Sequence, residues 1–114
     1  MPYVRIQSNV DIDAGRRRQL LQAVSSLAAN ELGKPERYVM VAMDPVMPMM
    51  FAGTDEPLAY LELKSIGLPE SSTANLSDAL CNLIHSEMGI ARDRIYIEFA
   101  DAPRKMWGWN GGTF

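Results

Sequence analysis

The chain is short of several things at once. It has a single cysteine, Cys81, so no disulfide can close within it. That thiol stands among Leu80, Leu83 and Ile84, the setting of a buried free cysteine rather than of a redox motif. No stretch approaches the ~18 consecutive apolar residues of a membrane helix. No charged start leads into an apolar run at the amino terminus, so the expectation is a cytoplasmic protein that does not enter a membrane, with non-classical secretion left open. Neither sign of charge dominates: the net charge is −3, with 22% charged and 47% hydrophobic residues. That balance speaks against disorder and against a polybasic nucleic-acid surface. The run Arg16, Arg17, Arg18 falls at a helix start, where the helix dipole disfavours cations, and reads as a solvated or contact face. The lone histidine, His85, reads as a solvent-border residue without a role.

What the chain does have is internal repetition. "YVRIQS" from Tyr3 and "YLELKS" from Tyr60 begin and end alike and alternate as half-buried strands do, with Val4 and Ile6 inward in one and Leu61 and Leu63 in the other. A helical pattern follows each: Leu20, Val24, Leu27, Ala28 and Leu32 first, then Leu76, Leu80, Leu83, Ile84 and Met88. The helices close on "ELG" and "EMG", where Gly33 and Gly89 supply left-handed caps. A second strand succeeds each helix, "YVMVAM" from Tyr38 and "RIYIEF" from Arg94, which aligns Val39 and Val41 with Ile95 and Ile97.

Strand, helix, strand implies a right-handed crossover between parallel strands. Two such units, at about residues 2–44 and 58–100, give an α/β (α+β) domain spanning 1–114. They form one four-stranded mixed sheet with both helices on one face, followed by a short C-terminal segment. The other face is left bare, and "DPVMPMMFAG" places Met47, Met49, Met50 and Phe51 in a loop. Those side chains either meet a partner or fold back on their own core; a closed oligomer satisfies the bare face and the sheet edges together.

Proline at position two raises a chemical question. If Met1 is trimmed, Pro2 becomes a secondary amine able to act as a base; if Met1 stays, the same nitrogen is an amide without a proton. A base that moves a proton between carbon and oxygen works best with a pKa near the working pH. An α-amino group starts near ~8, and burial or a neighbouring cation brings it down.

With Pro2, "GKPERY", "SIG", "DRIYIEF" and "GWNGGTF" in this order, the sequence resembles the macrophage migration inhibitory factor family of the tautomerase superfamily along essentially its whole length. The resemblance implies a homotrimer with sites between subunits, a small 2-keto acid substrate of the phenylpyruvate type, and neither cofactor nor metal. It makes Pro2 the general base, Lys34 the cation that meets a substrate oxygen, and Tyr96 a hydrogen-bond donor from the adjacent subunit. Tyr38, Trp109 and Phe114 match pocket walls, and Lys64, Ser65 and Ile66 the strand end at the substrate. Each has a plainer reading beside it. Lys34 follows a helix C-terminus, where a cation is favourable anyway; Tyr96 sits on a strand, where tyrosines pack; Trp107 and Trp109 suit a short terminal strand.

Leu58 and Leu61 stand where the family's mammalian member carries a cysteine pair, and three further positions depart from the family pattern. Lys64 replaces a histidine, Trp107 a smaller apolar residue at the pocket mouth, and Glu98, two residues past Tyr96, an amide. A carboxylate there repels a carboxylate substrate, raises the base's pKa, pairs with Lys34, or activates a water. The last possibility keeps a hydratase or dehalogenase of small unsaturated acids as an alternative, beside a cytokine-like binding protein whose pocket is vestigial.

Overall fold

The computed structural model describes all 114 residues. Strands β1 (Tyr3–Ser8), β2 (Met40–Met43), β3 (Ala59–Ile66) and β4 (Ile95–Ala102) form a sheet in the order β2-β1-β3-β4. β1 pairs parallel with β2 and β3 parallel with β4, while β1 and β3 are antiparallel. Helices α1 (Ala14–Leu32) and α2 (Thr73–Met88) join the parallel pairs. A two-stranded hairpin, β5 (Gly108–Trp109) and β6 (Gly112–Thr113), ends the chain. Its turn is Asn110-Gly111, both at positive φ, the conformation a tight hairpin needs.

Alternation sets the two faces. Val4, Ile6, Leu61 and Leu63 are fully buried against Leu20, Val24 and Ala28 of α1 and Leu76, Leu80 and Ile84 of α2. Burying each large aliphatic side chain contributes about 1.5–3 kcal/mol, so this layer holds the helices to the sheet. Across the opposite face the register makes rows: Met40, Tyr3, Lys64 and Ala100 in one, then Ala42, Arg5, Glu62 and Glu98. That face is bare and largely polar.

The second strand of each half starts later than the alternation suggests. Tyr38 belongs to a 3-10 turn, Glu36–Tyr38, and β2 begins at Met40; Arg94 closes a turn, Arg92–Arg94, and β4 begins at Ile95. Pro35 fixes the first turn's entry at φ −62°, ψ 133°, and Ala91 adopts nearly the same geometry at φ −62°, ψ 137°. The halves thus agree in a detail their residues do not share.

The methionine segment is a loop, and its side chains divide. Met47, Met49 and Phe51 are half-buried, whereas Met50 is exposed. Arg94 pins the loop by donating to the carbonyls of Phe51, Thr54, Glu56 and Pro57. Its guanidinium also lies 5.3 Å from the centre of the Phe51 ring.

Candidate active site

The site begins at the end of α1. Gly33 takes φ 62°, its N–H reaches the Asn30 carbonyl, and the N–H of Lys34 reaches back to Ala29 at 3.0 Å. These paired bonds form a Schellman closure, which sets the direction in which the chain, and so the Lys34 side chain, leaves the helix. Lys34 Nζ then donates to the Ile66 carbonyl at the end of β3, at 2.9 Å.

Beside it the chain start enters the fold. Pro2 is fully buried, and its carbonyl accepts from the Met40 N–H at 2.9 Å. The Met1 amine donates to the Tyr38 carbonyl at 2.6 Å. Burial, and after it the charge of Lys34, lowers the pKa of this amine below its ordinary 8.0. That lowering belongs to the Met1 amine, behind which the Pro2 nitrogen is an amide.

A cavity of about 560 Å³ opens over the amine. Pro2, Tyr38, Lys64, Trp107, Trp109 and Phe114 line it, with Arg37. Tyr38 meets Trp109 and Phe114 edge-on, with centroids 5.6 and 5.8 Å away, and those two rings stack at 5.4 Å. The terminal hairpin makes this wall, held by the Phe114 N–H on the Trp107 carbonyl. A larger hollow of about 750 Å³ lies along the methionine loop, where the polar lining is Asn9 and Asp55 and no cation is present.

Six of the residues expected at the site therefore gather round one cavity, with Lys34 adjoining through the amine and Ile66. Ser65 does not: its side chain is buried on the helix-covered face, its hydroxyl 3.5 Å from the Ile66 carbonyl. The parity that turns Leu61 and Leu63 inward takes Ser65 with them. Ile66 contributes its carbonyl to Lys34. Tyr96 lies on β4, two strands from β1, exposed and packed on Phe51 at 4.7 Å. Within one chain Glu98 is directly across from Glu62, and its charge, after burial, raises the pKa of the Tyr60 phenol.

Arg37 was not singled out by the sequence. It stands next to Tyr38 inside "GKPERY", and its guanidinium lies 4.8 Å from the centre of the Tyr38 ring. Its only signal was a cation in a string otherwise read for its lysine and tyrosine. His85 has structural work instead, its Nδ1–H donating to the Ile90 carbonyl at 2.8 Å where α2 ends.

A mixed sheet of two strand-helix-strand units, with the chain start sunk into an aromatic-walled cavity beside a lysine, defines a tautomerase-like class of protein. The sequence model of the macrophage migration inhibitory factor (MIF) family matches residues 1–114, and the chain belongs to that family. It is 35% identical to the macrophage migration inhibitory factor of Mus musculus, over 100% of this chain and 99% of that one. The crystal structure of the homologue from Prochlorococcus marinus has a TM-score of 0.92 with 47% identity, covering 98% of each chain. The Trichinella spiralis structure has a TM-score of 0.89 at 32% identity, covering 98% of this chain and 99% of that one.

Proposed function

We propose that this protein is a keto–enol tautomerase of phenylpyruvate-like 2-keto acids, with Pro2 as general base once Met1 is removed. The placement of the chain start carries the reading: a buried Pro2 at a cavity, in surroundings that lower an amine's pKa. In the keto-to-enol direction the Pro2 nitrogen takes a proton from the carbon next to the carbonyl. That C–H bond breaks, its electron pair forms the carbon–carbon double bond, and negative charge gathers on the carbonyl oxygen. That oxygen then takes a proton from the protonated Pro2 amine or from solvent, giving the enol and freeing the base. Lys34 stabilises that oxygen where the charge develops. In this reading Tyr96 comes from a neighbouring copy in a homotrimer, since within one chain it stands apart from the cavity.

The test is intact mass on the purified protein followed by a phenylpyruvate enol-to-keto assay on the same sample. Loss of Met1 with turnover supports the reading, as does a strong loss of turnover in Pro2→Ala. Full turnover with Met1 retained, or an equally active Pro2→Ala, removes the proline amine from the mechanism.

A further inference from the structure

Within one chain, the cavity that holds Pro2 is lined by two cations, Arg37 and Lys64, and by no aspartate or glutamate. This occurs in a chain of net charge −3, so the local field opposes the overall balance. Arg37 makes no ion pair in the chain; the pairs that form are Arg5–Asp44, Arg17–Asp11, Lys64–Glu62 and Arg92–Asp78. Lys64 has only a loose competitor, Glu62 at 3.7 Å. Lys34, whose charge reaches the amine, is bonded to a backbone carbonyl and not to an acid.

The two lining cations flank the cavity. Met40, Tyr3 and Lys64 are successive members of one cross-strand row. Neighbouring strands stand about 4.8 Å apart, which puts Lys64 about 10 Å across the sheet from Met40. Arg37 lies in the 3-10 turn before β2, the edge strand, and Lys64 on β3, two strands away. Its guanidinium lies against the Tyr38 ring, which Trp109 and Phe114 support edge-on. A planar guanidinium so placed offers paired N–H groups matching a carboxylate.

We propose that Arg37, assisted by Lys64, binds a second anionic group, so that the site prefers 2-keto acids carrying a second carboxylate over monoanionic ones. This rests on the tautomerase reading for the word keto, while the preference for a second negative charge rests on the cavity lining alone. Lys34 serves the carboxylate or carbonyl end near Pro2, and Arg37 the distal carboxylate beyond the aromatic wall. Arg37 and Lys64 are exposed, and at such positions pairing is worth up to about fivefold in affinity at low salt, which screening reduces.

The experiment separates binding from turnover by using the full chain, checked for loss of Met1, with two unreactive probes, cinnamate and 4-carboxycinnamate. Dissociation constants come from the fluorescence of Trp107 and Trp109. The expected result is about fivefold tighter binding of the dicarboxylate at low salt, falling to about twofold or less in Arg37→Gln and partly restored in Arg37→Lys. Equal binding of the two probes, or a preference unchanged in Arg37→Gln, overturns the inference. Phenylpyruvate and 4-carboxyphenylpyruvate are then assayed in parallel. A retained binding preference with no turnover of either keto acid overturns the tautomerase reading and leaves the second anion site standing; turnover of both with equal kcat/KM and equal probe binding does the reverse.

Discussion

Lys34 Nζ donates a 2.9 Å hydrogen bond to the carbonyl of Ile66, tying the residue just past α1 to the last residue of β3. The bond holds an ammonium beside the chain start without neutralising it, because a carbonyl is not a counter-ion. That is why its charge remains felt by the amine.

Lys34→Gln is expected to lower kcat/KM for phenylpyruvate enol by about 10²–10³, the usual effect of losing one group that stabilises an oxyanion. The acid limb of the kcat/KM profile should also move to higher pH, because removing the cation lets the amine keep its proton longer. A lysine that merely capped the helix would move that limb through its charge yet leave the pH-independent kcat/KM unchanged, so the plateau decides between the roles.

Gly33→Ala should destabilise the fold by about 1–2 kcal/mol in urea unfolding, because φ 62° is the left-handed conformation. Space is not the reason, since a Cβ there meets nothing within 4 Å. Turnover should fall further than the stability loss explains if the Schellman closure orients Lys34. Equal losses in Gly33→Ala and Gly89→Ala, where φ is 68°, would show a purely structural cap.

Arg94→Ala is expected to cost about 1–3 kcal/mol, since the guanidinium satisfies four loop carbonyls. Hydrogen exchange should rise across residues 51–57 and stay unchanged in α1. In the trimer reading the Phe51–Tyr96 contact loosens with the loop, so turnover should drop as well.

Arg5 donates to Asp44 at 2.9 Å and Gln7 joins it, holding the Asp44 carboxyl below its ordinary 3.8 while the Arg5 pKa rises. A carboxyl with a depressed folded pKa contributes stability that is complete above 3.8 and is lost as pH falls through the lowered value. The chain-start amine acts in another window. Its folded pKa lies below 8.0, so the folded chain binds fewer protons there, and stability rises as pH climbs from the lowered value towards 8.0. Asp44→Asn should therefore flatten the acid side of the Tm-against-pH curve and leave the rise towards pH 8.0 untouched.

The local parts of this fold were legible because short-range rules govern them. Period-two alternation placed Val4, Ile6, Leu61 and Leu63 inward, and it also held the answer for Ser65, which a family match had assigned to the substrate. Gly33 and Gly89 marked both helix ends, since a left-handed residue is needed wherever such a helix closes on its own carbonyls. The alternation read from Tyr38 and from Arg94 ran into two 3-10 turns, because such a turn follows from the local dihedrals at Pro35 and Ala91 and leaves the apolar spacing unchanged.

The sequence by itself determined the strand-helix-strand halves, the faces of the sheet and the residues that carry the family likeness. Those follow from periodicity and capping, which act over a few residues. Only the tertiary structure decided that Arg37 and Lys64 share one cavity, that Arg94 holds a loop around residue 55, and that Glu98 is opposite Glu62. Each depends on strand order and register, which bring together residues far apart in the chain, and no local pattern records how a β1 that pairs with both β2 and β3 positions their neighbours.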